Sequence, residues 1–149
     1  MGSEMCIRDS ANIMHPLETI DAVRDAENLN NELMLADLLI IEKRLERIDK
    51  DAKKTNYQDL EKAVLLQFKD LLYGGTPVRN MEISPQDDHV IIGFRFLTQK
   101  SLIILVNTSE NDLGKENTII GKLKTLTSPP FTQVIAMSAK IESEMAHLS

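Results

Sequence analysis

Two apolar runs in this 149-residue chain stop abruptly at polar residues: Leu102 to Val106 gives way to Asn107, Thr108, Ser109 and Glu110, and Gln133 to Met137 gives way to Ser138, Ala139 and Lys140. Ligands of an open parallel sheet collect beyond the carboxyl ends of its strands. An asparagine placed there can donate its side-chain amide to N7 of a purine, which accepts in adenine and guanine alike. A guanine-specific pocket adds a lysine directly after the asparagine, lying along the base, and an acid three residues on that accepts from N1 and the exocyclic amine. Here the second position is Thr108 and the fourth is Glu110, one methylene too long for that clamp. Relaxed or reversed base preference is the expectation. Backbone amides near Ser138 to Lys140, at a strand-to-helix turn, are placed to line the other edge of the base. The alternative is that Asn107 and Glu110 shape a turn and cap the next helix. No Gly-x-x-x-x-Gly-Lys-Ser/Thr phosphate loop occurs in the sequence, so these motifs supply only the base half of a pocket.

The elements around the motifs divide the chain into two styles. Residues 99–149 read as a βαβ unit: strand Leu102 to Val106, a helix from Lys115 to Leu126 burying Ile119, Leu123 and Leu126, and strand Gln133 to Met137. Right-handed crossover makes the strands parallel. Lys140 to His147 opens a last helix with Ile141, Met145 and Leu148 inward, and the sheet needs further strands from missing sequence or another chain. Residues 12–98 are helical in pattern. Met34, Leu38, Ile41, Leu45, Ile48 and Ala52 are spaced 4, 3, 4, 3, 4, a heptad seam that stays apolar along about 30 Å of helix. Thr55 and Gln58 form a capping-box pair that opens a second helix carrying Tyr57, Leu60, Val64, Phe68 and Leu71 on one face, and Gly74-Gly75 ends it. So short a break predicts an antiparallel hairpin. Ser84 followed by Pro85 predicts a third, short helix.

Composition excludes some functions. The net charge of −6 opposes generic nucleic-acid binding, since phosphate contacts drive that affinity. Apolar runs of five or six residues are too short to span a membrane, which with the lack of a secretory leader points to the cytoplasm. His15, His89 and His147 lack ligand spacing, so no metal site is expected. Lys43, Arg47, Lys50 and Lys54 make a basic stripe on the first helix, readable as an RNA-binding face or as a solvated face neutralised by Glu46, Asp49 and Asp51. Met1 to Ser10, which contains the single cysteine Cys6, has no periodicity and resembles a translated adaptor leader. Residues 1–11 are therefore set aside as non-native, and the natural protein is expected to continue upstream.

The run from Ile20 to Asp37, then Ile41 to Glu46, Phe96 to Thr98, Val106 to Glu110 and Ser138 to Glu142, taken together and in order, resemble the YchF (Obg-like ATPase) family of P-loop nucleotide hydrolases. The resemblance implies an α/β fold: the C-terminal part of a P-loop G domain with an inserted antiparallel coiled-coil hairpin. Its implied segments are 12–33 leading into the arm, 34–80 the arm, 81–98 a short helix returning to the G domain, and 99–149 the part with the base motifs. It also implies that Asn107, Thr108 and Glu110 are an altered base motif favouring ATP over GTP, that Ser138, Ala139 and Lys140 are the following base-loop motif, and that the full-length protein uses ATP or GTP with Mg²⁺ at the ribosome. Two positions depart from the family pattern, Ala22 where proline is expected and Ser101 where proline is common. Without a phosphate loop this chain is expected to hydrolyse no ATP by itself. The alternative function is a non-catalytic helical-hairpin module binding a protein or RNA.

Overall fold

The computed structural model describes residues 3–9, 21–51, 55–109, 114–124 and 130–147. They form two compact units, Met1–Leu29 with Ser101–Ser149, and Asn30–Lys100. The sequence reading places the corresponding divisions at 33/34 and 98/99.

The first unit holds three strands, β1 (Ser3–Asp9), β2 (Leu102–Thr108) and β3 (Thr132–Met137), in the order β1-β2-β3. Both pairings are parallel, with Ser3 opposite Leu102 and Leu102 opposite Thr132. Residues that the sequence reading set aside thus supply a strand on the free edge of β2. The consecutive Met5, Cys6 and Ile7 suit a parallel strand, which need not alternate apolar and polar residues. On one face of the sheet Leu102, Ile104 and Val106 are buried against Leu123 of α4 (Glu116–Lys124) and Ala26 of α1 (Ala22–Lys50), with Ile119, Ala22 and Val23 alongside. Ile103, Leu105 and Asn107 face the other way and are half-buried. Leu126 lies outside the described residues.

The last helix, α5 (Ala139–Ala146), buries none of its residues, and Met145 is exposed. The expected inward face of Ile141 and Met145 is therefore corrected; Leu148 lies outside the described residues. A helical pattern determines which side chains share a face, but a second element must lie against that face to bury it.

In the second unit, α1 from Asn30 onward pairs with α2 (Asn56–Tyr73). The seam residues Met34, Leu38, Ile41, Leu45 and Ile48 are all buried, and they meet Val64, Leu65, Phe68 and Leu72, while Ala52 lies outside the described residues. The Thr55 capping box forms, with the Gln58 amide donating to Thr55 Oγ1 at 3.2 Å and the Thr55 amide to Gln58 Oε1 at 3.0 Å. Gly75 takes φ 75° and closes the helix: Gly75 N–H donates to Leu72 O at 2.9 Å and Thr76 N–H to Leu71 O at 3.1 Å, which only a left-handed residue permits. The expected face of α2 is turned by part of a turn. Tyr57 is exposed and Leu60 and Leu71 lie at the edge, while Glu61, Leu65 and Leu72 are inward. Glu61 is tolerated there because Arg44 grips it with two bonds of 2.8 Å. A 3₁₀ turn (Val78–Asn80) and α3 (Pro85–Ile91, capped by Ser84) complete the unit, burying Val78, Val90, Ile91 and Phe96 in the same core.

Candidate functional site

The two polar motifs come together at the carboxyl ends of β2 and β3. Asn107 sits opposite Met137 in the ladder, and its Oδ1 accepts from the Ala139 amide at 2.9 Å. A backbone N–H can only donate, so this contact fixes the orientation of the Asn107 side chain and turns Nδ2 outward as a donor. That is the group a purine N7 requires. Asn107 is half-buried, held by a strand at its base and by a helix start at its tip.

Thr108 does not join Asn107. Side chains alternate along a strand, so Thr108 continues the Leu102, Ile104, Val106 face and is 3% exposed, on the opposite side of the sheet from Asn107. Glu110 lies outside the described residues. Ser138 is the N-cap of α5 and is buried, whereas Ala139 and Lys140 are exposed. Lys140 Nζ lies 3.9 Å from Glu144 Oε1, one helical turn on.

Of the basic stripe, Lys43, Arg47 and Lys50 are exposed on α1, and Lys54 lies outside the described residues. Lys50 approaches Glu46 at 3.8 Å with both side chains largely in solvent, an arrangement that contributes little. Asp49 pairs with Lys62 of α2. On the same helix Glu42 accepts from the Tyr73 hydroxyl at 2.9 Å and meets Lys69 at 3.1 Å. The Tyr73 bond, then Lys69, hold the Glu42 carboxyl below its ordinary range, and Glu42 in turn raises Tyr73 and Lys69.

One cluster is absent from the sequence reading. Asp37 is fully buried, and its carboxylate accepts from Leu97 N and Thr98 N, both at 2.8 Å, and from Thr98 Oγ1 at 2.6 Å. Arg79, also buried, donates to the carbonyls of Thr98 and Lys100 and to Asn30 Oδ1. Burial pushes the Arg79 guanidinium down, partly offset by Asp37. The signal was available: Asp37 falls inside the apolar stripe between Met34 and Leu38, where an acid must find partners.

Among the described residues no helix is long and apolar enough to cross a membrane, and no group of three His, Cys, Asp or Glu residues could hold a metal ion.

A parallel sheet with polar strand ends, interrupted in sequence by a helical hairpin, defines an α/β protein of the P-loop G-domain class carrying a coiled-coil insertion. Its likeness to the structure of the Schizosaccharomyces pombe YchF GTPase has a TM-score of 0.78 at 24% identity, covering 98% of this chain and 41% of that one. No family model matches. The chain is 32% identical over 142 residues to the ribosome-binding ATPase YchF of Bacillus subtilis (strain 168), covering 92% of this chain and 38% of that relative. It is 30% identical over 150 residues to the Obg-like ATPase 1 of Saccharomyces cerevisiae, covering 95% and 38%. The chain belongs to the YchF/Obg-like ATPase family, and it spans about two fifths of the length of the curated relatives it matches.

Proposed function

We propose that this chain is the base-recognition and coiled-coil segment of a cytoplasmic, ribosome-associated ATPase that prefers ATP to GTP. Asn107 binds purine N7 through Nδ2, Ala139 and Lys140 line the adjoining edge, and Glu110, Thr108 and Ser138 complete the motif. Thr108 and Ser138 act from beneath rather than by touching the base. Phosphates and Mg²⁺ are held elsewhere in a full-length protein, where the metal neutralises developing charge on the transferred phosphoryl group. The exposed Lys43, Arg47 and Lys50, with Lys54, turn toward ribosomal RNA. The observation that carries the reading is the 2.9 Å bond from the Ala139 amide to Asn107 Oδ1, which joins two motifs 32 residues apart and leaves Nδ2 to donate.

Asn107→Asp in a full-length protein containing this segment tests it. The carboxylate keeps an acceptor for Ala139 but presents an oxygen to N7, so ATP affinity should fall by at least about tenfold, the equivalent of one hydrogen bond. Calorimetry giving unchanged affinity in a folded variant would sink the assignment. The names of the relatives, ribosome-binding ATPase and Obg-like ATPase, favour this reading over a purely binding hairpin module.

A further inference from the structure

We propose that Thr108 and Ser138 together bind one buried water molecule, which joins the carboxyl ends of β2 and β3 and steadies Asn107 and Ala139 from below. Asn107 is opposite Met137, so the next residues along the two strands, Thr108 and Ser138, are neighbours. Ser138 is still extended, at φ −99° and ψ 108°, so its side chain falls on the same face as Thr108, the face of the apolar core. Both residues are more than nine-tenths buried, at 3% and 8% exposure. Among the described residues, neither hydroxyl oxygen has a hydrogen-bond partner.

Ser138 makes the case sharper. A serine at a helix N-cap ordinarily accepts from an amide of the first turn, and Ser138 makes no such bond. Its hydroxyl is thus left to bond elsewhere. Neighbouring strands often let two hydroxyls bond directly, but Thr108 Oγ1 and Ser138 Oγ make no such bond to each other. A water with near-tetrahedral angles and two such bonds spans about the strand spacing. The guest must both donate and accept, since each hydroxyl does both, and it must be small, since Thr108 and Ser138 continue the faces on which Val106 and Ala136 join the apolar core. Water meets these requirements.

The inference is independent of the nucleotide reading, since it concerns the chain without ligand. It makes Thr108 and Ser138 positioning residues, acting through the Asn107 to Ala139 bond. Thr108→Val and Ser138→Ala each leave the water with one anchor, so each should lower Tm by a few degrees and speed exchange of the Ala139 amide several-fold. The double variant removes the reason for the water and should recover most of the Tm loss, a strong non-additivity. If each substitution instead raises Tm, the two effects add and Ala139 exchange is unchanged, the hydroxyls are simply unsatisfied and the proposal fails. A high-resolution crystal structure of the unsubstituted chain gives a second reading that does not depend on variants folding. Density within hydrogen-bond distance of both hydroxyls supports the water, and a dry contact or a water touching one hydroxyl only overturns it.

Discussion

Asn107 and Thr108 are adjacent in sequence and face opposite sides of the sheet, so one is half-buried at the strand end and the other is buried in a core. The same contrast runs through the arm, where Asp37 is buried with three donors and Lys43 is exposed six residues on. Asp37→Asn turns an amide group toward donors that need an acceptor, and it removes the negative charge near the buried Arg79. The expected cost is about 3 kcal/mol, the upper range for a bond to a charged group, measurable by urea unfolding. A smaller, pH-dependent effect belongs to Glu42 and Tyr73. Glu42 is depressed in the folded chain, so its contribution is complete above the ordinary carboxylate value of about 4.3 and is lost as pH falls through the lowered one. Tyr73 is raised, so its contribution is complete below about pH 10 and is lost as pH climbs through the raised value. Tyr73→Phe should therefore flatten the stability profile at both ends, read as Tm against pH.

At the scale of elements, periodicity was informative wherever an element had a partner. The α1 seam, the capping box of α2, the Ser84 cap of α3 and both predicted strands all form. The face of α2 was harder to read because Glu61 sits among its inward residues, and a charged side chain hides a core position until Arg44 is seen to meet it. Phe68 anchors that face, fully buried, with its ring 5.9 Å from that of Phe96. Phe68→Ala should cost about 3–5 kcal/mol, by lost burial and the cavity left behind. Arg95 adopts φ 53° just before Phe96, in a stretch where Phe94 and Phe96 stack at 5.4 Å and Asp37 holds Leu97 and Thr98. A left-handed arginine of this kind persists only where its surroundings over-determine it.

For the whole molecule, two separate cores carry two units: Met34 to Phe96 supply one, and Leu102, Ile104, Val106, Ala26 and Leu123 the other. Because the cores share no residue, Phe68→Ala should accelerate amide exchange within 30–100 and leave β2 and β3 protected, and uniform acceleration across both units would show that they unfold together. The sequence by itself determined which segments beyond Asp21 become helix or strand, that β2 and β3 run parallel, and that Asn107 and the Ser138 to Lys140 motif lie at one end of the sheet. These follow from local spacing, cap chemistry and the handedness of a crossover. Only the tertiary structure decided that Ser3–Asp9 is a strand, that Asp37 and Arg79 are buried, that α5 is left uncovered, and that Thr108 turns away from Asn107 to lie beside Ser138. Each of these depends on what lies across from a residue rather than beside it in the chain, and pairing over that distance has no period to read.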